Sequence, residues 1–177
     1  MKYQTDNYSI KMLDEPTYTF GSVDNINSYE QEYVLTDGSD TVTSKHGIVV
    51  GSVSAILGAS GGCSTVHKNS LVIVRAHCII AVGNSVCCLS LPRLGFEWHI
   101  KIDQATCFGL HYSQKHDCII SHGELLITCL SLNGDIQWSV GGKDIFSESL
   151  SLYEDHIKAI DFNKEQYTID IETGKKF

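Results

Sequence analysis

TCLSLNGDIQW, residues 128–138, joins a strand, a tight turn and a large aromatic residue in one short stretch. Asn133-Gly134 supplies the positive φ that a hairpin turn needs. The same order occurs upstream in CCLSLPRLGFEW, which ends at Trp98, and downstream in TIDIETGKKF, which ends at Phe177. The three aromatic residues lie about 40 residues apart, which indicates a structural repeat of that length.

Each repeat predicts a unit of four short strands joined by tight turns. The strands are about 5 to 8 residues long and the turns recur roughly every 8 to 12 residues, as in an all-β meander. The units cover residues 70–102, 107–141 and 148–177, and the last unit begins its fourth strand at Lys175. Because no window of useful length shows a 3.6-residue apolar period, the pattern does not favour a helical array.

This repeat resembles that of quinoprotein-like and WD-type β-propellers, over residues 70–177. The resemblance implies blades in which an aromatic residue after the glycine turn packs between one blade and the next. Trp98 and Trp138 match that position, whereas Phe177 stands where a tryptophan would be typical. Most proteins with this repeat bind no quinone, so the resemblance implies no cofactor and none is expected.

Three units are fewer than the four or more blades of an ordinary closed propeller. Residues 31–69 are therefore expected to supply degenerate strands, at Glu32–Thr36, Gly47–Ser52 and Ser54–Ala59. Residues 1–30 are the least repeat-like and are predicted to form an extended arm against the body. The prediction is a single all-β domain, residues 1–177. Its fold would be a propeller-like antiparallel meander of three to four blade-type units, either closed or open and irregular.

The net charge of −8 limits the partners of the chain. Nucleic-acid binding depends largely on Lys and Arg that neutralise phosphates, so no nucleic-acid partner is expected. Negative charge favours a basic protein partner, although it is equally typical of a surface that keeps a protein soluble. The acidic residues of the first 60 positions are Asp6, Asp14, Glu15, Asp24, Glu30, Glu32, Asp37 and Asp40.

Neither membrane insertion nor disulfide bonding is expected. No stretch approaches the ~18 apolar residues of a membrane span, and the N-terminus lacks the apolar core of a signal peptide, so a cytoplasmic location is predicted. Seven cysteines form an odd set, and most lie in strand-like stretches rather than at the spacing of a disulfide framework. They are predicted to be reduced, buried small hydrophobes.

The glycine-rich loop from Gly58 to His67 is the first candidate site. Its start matches the G-x-S-x-G pattern of a hydrolase nucleophile, but that chemistry needs a strand-to-helix turn over a parallel sheet. A backbone nest that binds an anion or a small ligand is another use of such a loop. A plain connector between strands also explains the glycines. The residues assigned to a ligand here are Gly58, Ser60, Gly61, Gly62 and His67.

Pairs of cysteine and histidine are the second candidate site. Cys63 and His67 share a C-x3-H spacing with Cys107 and His111, and thiolate and imidazole are ligands that zinc prefers. On a strand, however, residues at this spacing lie ~13 Å apart, too far to bind one ion. Buried packing is therefore the expected role, and no metal is predicted. The sequence also gives no support for a carboxylate pair in acid–base catalysis, so the protein is not expected to be an enzyme.

The favoured expectation is a non-catalytic protein-interaction module. An adaptor fits this description, as does a toxin-neutralising, immunity-type protein that covers a basic active site. The alternatives are a small-ligand or anion binder at Gly58–His67, and a hydrolase or zinc site at Ser60 or the Cys/His pairs. An open meander also exposes sheet edges, which a homo-oligomer would cover. Trp98, Trp138 and Phe177 are assigned to packing between units rather than to binding.

Overall fold

The computed structural model describes residues 1–5, 7–36, 38 and 40–177, and these form β-strands in four sheets with no helix. Asp6 and Asp37, two of the acidic residues noted above, lie outside the described residues. The prediction of an all-β, propeller-like meander is confirmed. The individual sheets are open rather than closed into barrels.

Three of the sheets are simple meanders formed by residues 71–177. Sheet 2 contains β6 (Leu71–Val74), β7 (His77–Val82), β8 (Ser85–Ser90) and β9 (Gly95–Lys101), in that order. Sheet 3 contains β10 (Cys107–Ser113), β11 (Cys118–Gly123), β12 (Leu126–Ser131) and β13 (Ile136–Gly141). Sheet 4 contains β14 (Ser151–Leu152), β15 (His156–Ile160) and β16 (Gln166–Asp170), and a bridge from Lys176 to Ile169 adds the start of a fourth strand.

Sheet 1 is formed by residues 2–59 and has a less regular topology. Its strands are β1 (Lys2–Gln4), β2 (Ser9–Asp14), β3 (Gln31–Val34), β4 (Ser44–Val50) and β5 (Val53–Ala59). Their spatial order is β1-β2-β4-β5-β3. The outermost strand, β3, runs parallel to β5, whereas the other pairs in this sheet are antiparallel.

The first half of residues 1–30, which were predicted to form an extended arm against the body, contains two strands of sheet 1. Strand β2 pairs with β4 along its whole length, from Ile10 opposite Val50 to Asp14 opposite His46. The reason lies in the alternation within β2, because Ile10 and Met12 are fully buried between exposed neighbours. A period of two is the pattern of a strand with one buried face.

The hydrophobic core lies between consecutive sheets. One cluster joins sheets 1 and 2, a second joins sheets 2 and 3, and a third joins sheets 3 and 4. The central strand β11 is buried along both faces. Among the described residues no such cluster contains side chains from both sheet 1 and sheet 4. The four sheets therefore form an open stack with two ends.

Aromatic side chains on the outer strands pack against turns of the following sheet. The indole Nε1 of Trp98 in β9 donates to the carbonyl oxygen of Leu132, 3.2 Å away, and the ring covers Gly134. In sheet 1 the hydroxyl of Tyr33 donates to the carbonyl oxygen of Leu94 over 3.0 Å. Such contacts fix one sheet on the next.

The seven cysteines are free thiols, and all of them except Cys63 are buried. Burial raises the pKa of Cys78 to about 12, so this thiol stays protonated and packs as a small hydrophobe. Within the described part of the chain, no helix has the length and apolar character needed to cross a membrane.

Candidate functional site at the two ends of the sheet stack

The loop from Gly58 to His67 connects sheet 1 to sheet 2, and its backbone groups bind the chain itself. The amide of Gly62 donates to the carbonyl oxygen of Ala105 over 3.1 Å. The carbonyl oxygen of Ser60 accepts from the amide of Asn84 over 2.9 Å. Because the amide of Gly62 and the carbonyl of Ser60 are both occupied, the geometry favours a connector over an anion nest, and ligand binding here stays a prediction.

The side chains of this loop are also engaged by neighbouring segments. Ser60 is buried, and its Oγ accepts from the side-chain Nδ2 of Asn84 over 3.3 Å and lies 3.4 Å from Oδ2 of Asp40. The Nδ1 of His67 accepts from the amide of Asn69 over 3.2 Å. A Cβ on Gly58 would lie 2.5 Å from the ring of Phe20, so this glycine serves close packing.

The two C-x3-H pairs lie in different environments. Cys63 is exposed, whereas Cys107 is buried with its Sγ 3.3 Å from Oγ of Ser121. Burial raises the pKa of Cys107 to about 11, which keeps it a neutral thiol. Across residues 1–5, 7–36, 38 and 40–177, no group of three or more His, Cys, Asp or Glu is arranged to hold a metal ion.

Several histidines, for which the sequence suggested no role, belong to the core. His46 is fully buried, and burial lowers its pKa. Burial also lowers the pKa of His122 to about 4, and the neighbouring His111 adds to the shift. Nδ1 of His46 and Nε2 of His122 are among the buried imidazole nitrogens that have no hydrogen-bond partner in the described structure. The lowered pKa values keep these side chains neutral at pH 7.

The outward side of sheet 4, which we call the terminal face, differs from the inner sheets in having only one buried side. Ile157 and Ala159 of β15 pack toward sheet 3, while Lys158 between them is exposed. Strand β16 repeats the alternation, because Tyr167 and Ile169 are buried and the residues between and beside them are not. A terminal unit with a polar outer side is the usual solution for stacked repeats, because that side meets water.

Exposed aromatic residues stand in this polar surround. The ring of Tyr153 stacks on His156, with centroids 4.6 Å apart and planes 7° from parallel. Nζ of Lys158 lies 5.4 Å from the centroid of Tyr153, within cation–π range. The amide of Phe177 donates to the carbonyl oxygen of Thr168, which places Phe177 at the edge of the same face.

Phe177 differs from the tryptophans with which the repeat aligns it. Its side chain is 79% exposed, so it does not pack between two sheets of this stack. Its assignment to packing between repeat units stays a prediction. The physical reason for its exposure is that, among the described residues, no further sheet covers the outer side of sheet 4.

The opposite end of the stack is covered by residues 15–30, which we call the aromatic cap. Tyr18, Phe20 and Tyr29 form edge-on contacts with ring centroids 5.6 Å apart. Tyr29 lies on Gly47 and Phe20 lies on Gly58, where any side chain would collide with the rings. The hydroxyl of Tyr29 donates to the carboxylate of Glu15 over 2.6 Å. Close packing of two aromatic rings on glycines of sheet 1, together with the buried carboxylate of Glu15, thus holds the cap on the outer side of this sheet.

The outer surface of the aromatic cap combines negative charge with exposed apolar groups. Val23 is 96% exposed and Ile26 is 94% exposed. Asp24 and Glu30 are exposed beside them. Residues 12–44 contain Asp and Glu but no Lys or Arg. The cap is therefore an acidic surface with two apolar side chains in water.

Sequence reasoning missed most residues of both ends. Tyr153, His156 and Lys158 of the terminal face and Val23 and Ile26 of the cap carry no motif. A signal was nevertheless present for the terminal face, because HIKAI and QYTID alternate between apolar and polar residues. The corresponding stretches CIIAV in β7 and CIIS in β11 do not. That contrast distinguishes a sheet with one covered side from a sheet with two.

Comparisons with known proteins support this architecture at the level of fold. No protein-family model matches the chain, and no curated protein matches it by sequence. Among solved structures it is similar to the computationally designed Ika8 protein, with a TM-score of 0.61 and 10% identity over 99% of this chain and 46% of that one. The designed Ika4 protein matches with a TM-score of 0.54 and 10% identity, over 66% of this chain and 75% of that one.

A natural propeller is also among the similar structures. The WD40 β-propeller domain of Doa1 matches with a TM-score of 0.50 and 10% identity, over 75% of this chain and 46% of that one. The chain thus spans about half the length of the Ika8 and Doa1 chains. At 10% identity these likenesses show propeller-like repeats as a fold.

Proposed function

We propose that this chain is a non-catalytic protein-interaction module that binds its partner at the terminal face. The observation that carries the proposal is the exposure of Phe177 and Tyr153, which stands at 79% and 48%, on a sheet side that is otherwise polar. Aromatic residues surrounded by a polar rim are the composition of protein–protein interfaces. A partner that covers them would remove apolar area from water and gain about 25 cal/mol per Å².

The rigidity of this face supports the same proposal. Tyr153 and His156 hold each other by stacking, and the backbone of Phe177 is bonded to Thr168. Side chains that are already ordered lose little conformational entropy on binding. The rings of Tyr153 and His156 are thus organised before a partner arrives.

Site-specific photo-crosslinking in the native host tests this proposal. A photoreactive phenylalanine analogue replaces Phe177, and the same analogue replaces Phe162 as the control, because Phe162 is also an exposed phenylalanine of the last repeat unit but lies in the turn after β15. We expect a discrete adduct from position 177 that weakens in a Lys158→Glu background. Absence of an adduct, or an equal adduct from position 162, would overturn the proposal.

The aromatic cap supports a second candidate function, in which an adaptor or immunity-type protein binds a basic partner. The observation that favours it is the acidic stretch of residues 12–44, with Asp24 and Glu30 exposed. Complementary charge accelerates association and makes it sensitive to salt. In this case the Asp24→Lys and Glu30→Lys variants would lose the partner, while Lys158→Glu would retain it.

A further inference from the structure

The terminal face and the aromatic cap are chemically complementary, although they lie at opposite ends of one stack. The terminal face carries Lys158 and Lys175, which make no ion pair within 4 Å in the described structure. The neighbouring acids Glu154 and Asp155 are bound to Lys115, at 3.3 and 2.6 Å. The lysines of this face are therefore free to meet negative charge from another chain.

One carboxylate also lies on the terminal face, and it is held locally. Asp170 accepts hydrogen bonds from the amide and the hydroxyl of Thr173, at 2.8 and 2.6 Å. These bonds lower the pKa of Asp170, so it is charged at pH 7. Asp170 is thus engaged within the protein, whereas Lys158 and Lys175 have no acidic partner within 4 Å in the described structure.

On the aromatic cap the groups without a partner are carboxylates rather than lysines. Glu15 of the cap accepts from Asn27 and Tyr29, and Glu32 of the adjoining strand β3 accepts from Tyr18 of the cap, so both carboxylates are internal acceptors. Asp24 and Glu30 are exposed and make no ion pair within 4 Å among the described residues. In the chain Asp24 lies between Val23 and Ile26, and Glu30 follows four residues after Ile26. The side chains of Val23 and Ile26 lie in water.

We propose that the terminal face of one copy of this chain binds the aromatic cap of a second copy, head to tail. Phe177 and Tyr153 would cover Val23 and Ile26, and Lys158 and Lys175 would face Asp24 and Glu30. The inference rests on the proposed function, because it uses the same face and names a second copy of the chain as the partner. The dimer keeps one free cap on one copy and one free terminal face on the other, so the contact is heterologous.

The size of the face sets the expected strength of this contact. Strand spacings predict a flat area of roughly 16 by 19 Å for four short strands of about five residues. That is smaller than the ~800 Å² per partner of a stable complex. We therefore expect a reversible equilibrium in the micromolar range, which weakens at high salt because much of the attraction is between exposed charges.

Sedimentation velocity on the full chain tests the proposal. Between about 5 and about 500 µM we expect the average mass to rise above that of the monomer, and about 0.5 M NaCl should reverse the rise. Lys158→Glu and Asp24→Lys should each reduce association by about tenfold or more, whereas the double variant should restore it because the charges are exchanged. Lys2→Glu is the control, since it changes an exposed lysine of β1 outside both surfaces.

Complementary blocked variants establish the orientation. One variant carries Phe177→Ser with Lys158→Glu and keeps an intact cap, while the other carries Val23→Ser with Ile26→Ser and keeps an intact terminal face. Each alone should be monomeric, and a mixture should form a one-to-one dimer. If the cap variant alone still forms dimers, the contact joins two terminal faces and the head-to-tail proposal is overturned. Unchanged urea midpoints of all variants exclude misfolding as the cause.

The outcome also separates this inference from the proposed function. A monomer at every concentration overturns self-association. If the adduct from position 177 then has the mass of one chain plus a different protein, the interaction module stands with another partner. If no adduct forms, both proposals fail. An adduct with the mass of two chains supports both.

Discussion

Trp138 of sheet 3 donates a hydrogen bond from its indole Nε1 to the carbonyl oxygen of Ile171 in sheet 4, over 2.8 Å. The same indole lies against Gly174, where a Cβ would come within 2.7 Å of the ring. Trp98 repeats this arrangement one sheet earlier, with Leu132 and Gly134. At each boundary between two sheets, the indole ring occupies the space that a side chain at the glycine would need.

Gly174→Ala should destabilise the fold by about 2 kcal/mol or more. Gly174 has a φ of +68° and a Cβ there would also collide with Trp138, so the strain of a left-handed residue and the overpacking add. Gly51→Ala is the matched control, because Gly51 has a φ of +60° with open space around it. It should cost about 1 kcal/mol. Equal urea midpoints for the two variants would show that the ring yields without cost.

Trp138→Phe and Phe177→Leu should differ in effect although the repeat aligns the two positions. Loss of the indole removes a hydrogen bond and packed area, at a cost of about 2 kcal/mol. Phe177 is exposed, so its replacement should stay within about 0.5 kcal/mol. Urea unfolding measures both. A comparable loss from Phe177→Leu would mean that the ring packs on the stack.

The repeat was predictable because each unit contains its own strands and turns. Trp98 and Trp138 fix the phase, and Gly134 and Gly174 provide the positive φ of the turns. Tyr33 performs the same role in sheet 1 but could not be found by spacing. Its strand precedes β4 in the chain and then lies parallel to β5 at the edge of the sheet. A crossover of this kind places an equivalent residue at a different distance along the sequence.

The candidate surfaces were less predictable than the fold, for a physical reason. Exposure depends on which sheet is last in the stack, and this is a property of packing rather than of any single residue. Val23 and Ile26 resemble core residues in the sequence, yet they project from a loop whose own core is made by Tyr18 and Tyr29. In the sequence, only the alternation of apolar and polar residues in β15 and β16 indicated that sheet 4 has a polar outer side.

Acidification should destabilise the protein partly through His122. Burial lowers the pKa of His122 from 6.5 to about 4 in the folded state. Between these two pH values the unfolded chain therefore binds a proton at this residue and the folded chain does not. The contribution of neutral His122 to the free energy of unfolding is fully present above about pH 6.5. It is lost as the pH falls toward 4, by about 3 kcal/mol in total.

Replacement of His122 checks this assignment. His122→Gln should flatten the loss of stability between pH 6.5 and 4, as measured by urea unfolding at several pH values. His46 and His111 should leave some dependence, because burial lowers their pKa values too. His99→Gln serves as the control, since His99 is exposed, and its pH profile should match that of the original protein. An unchanged profile in His122→Gln would contradict the assignment.

Asp103→Asn should destabilise the boundary between sheets 2 and 3 by about 2 kcal/mol. Asp103 is buried, and its Oδ2 accepts from the amides of Leu125 and Leu126, both at 3.0 Å, while Oδ1 accepts from Ala105 at 2.8 Å. An asparagine offers one acceptor oxygen and turns an N–H₂ group toward a donor, so at least one buried amide loses its partner. The conservative change thus removes acceptor capacity while it keeps the shape of the side chain.

A second aspartate makes the comparison quantitative. Asp135→Asn changes an exposed carboxylate whose Oδ2 binds the hydroxyl of Ser131 at 3.1 Å, and it should stay within about 0.5 kcal/mol. Urea unfolding at pH 7 measures both variants. Amide hydrogen exchange at Leu125 and Leu126 should accelerate in Asp103→Asn alone, because the local bonds hold the turn between β11 and β12 closed. If exchange at these two amides is unchanged, Asp103 is not what holds the turn on the connector between the sheets.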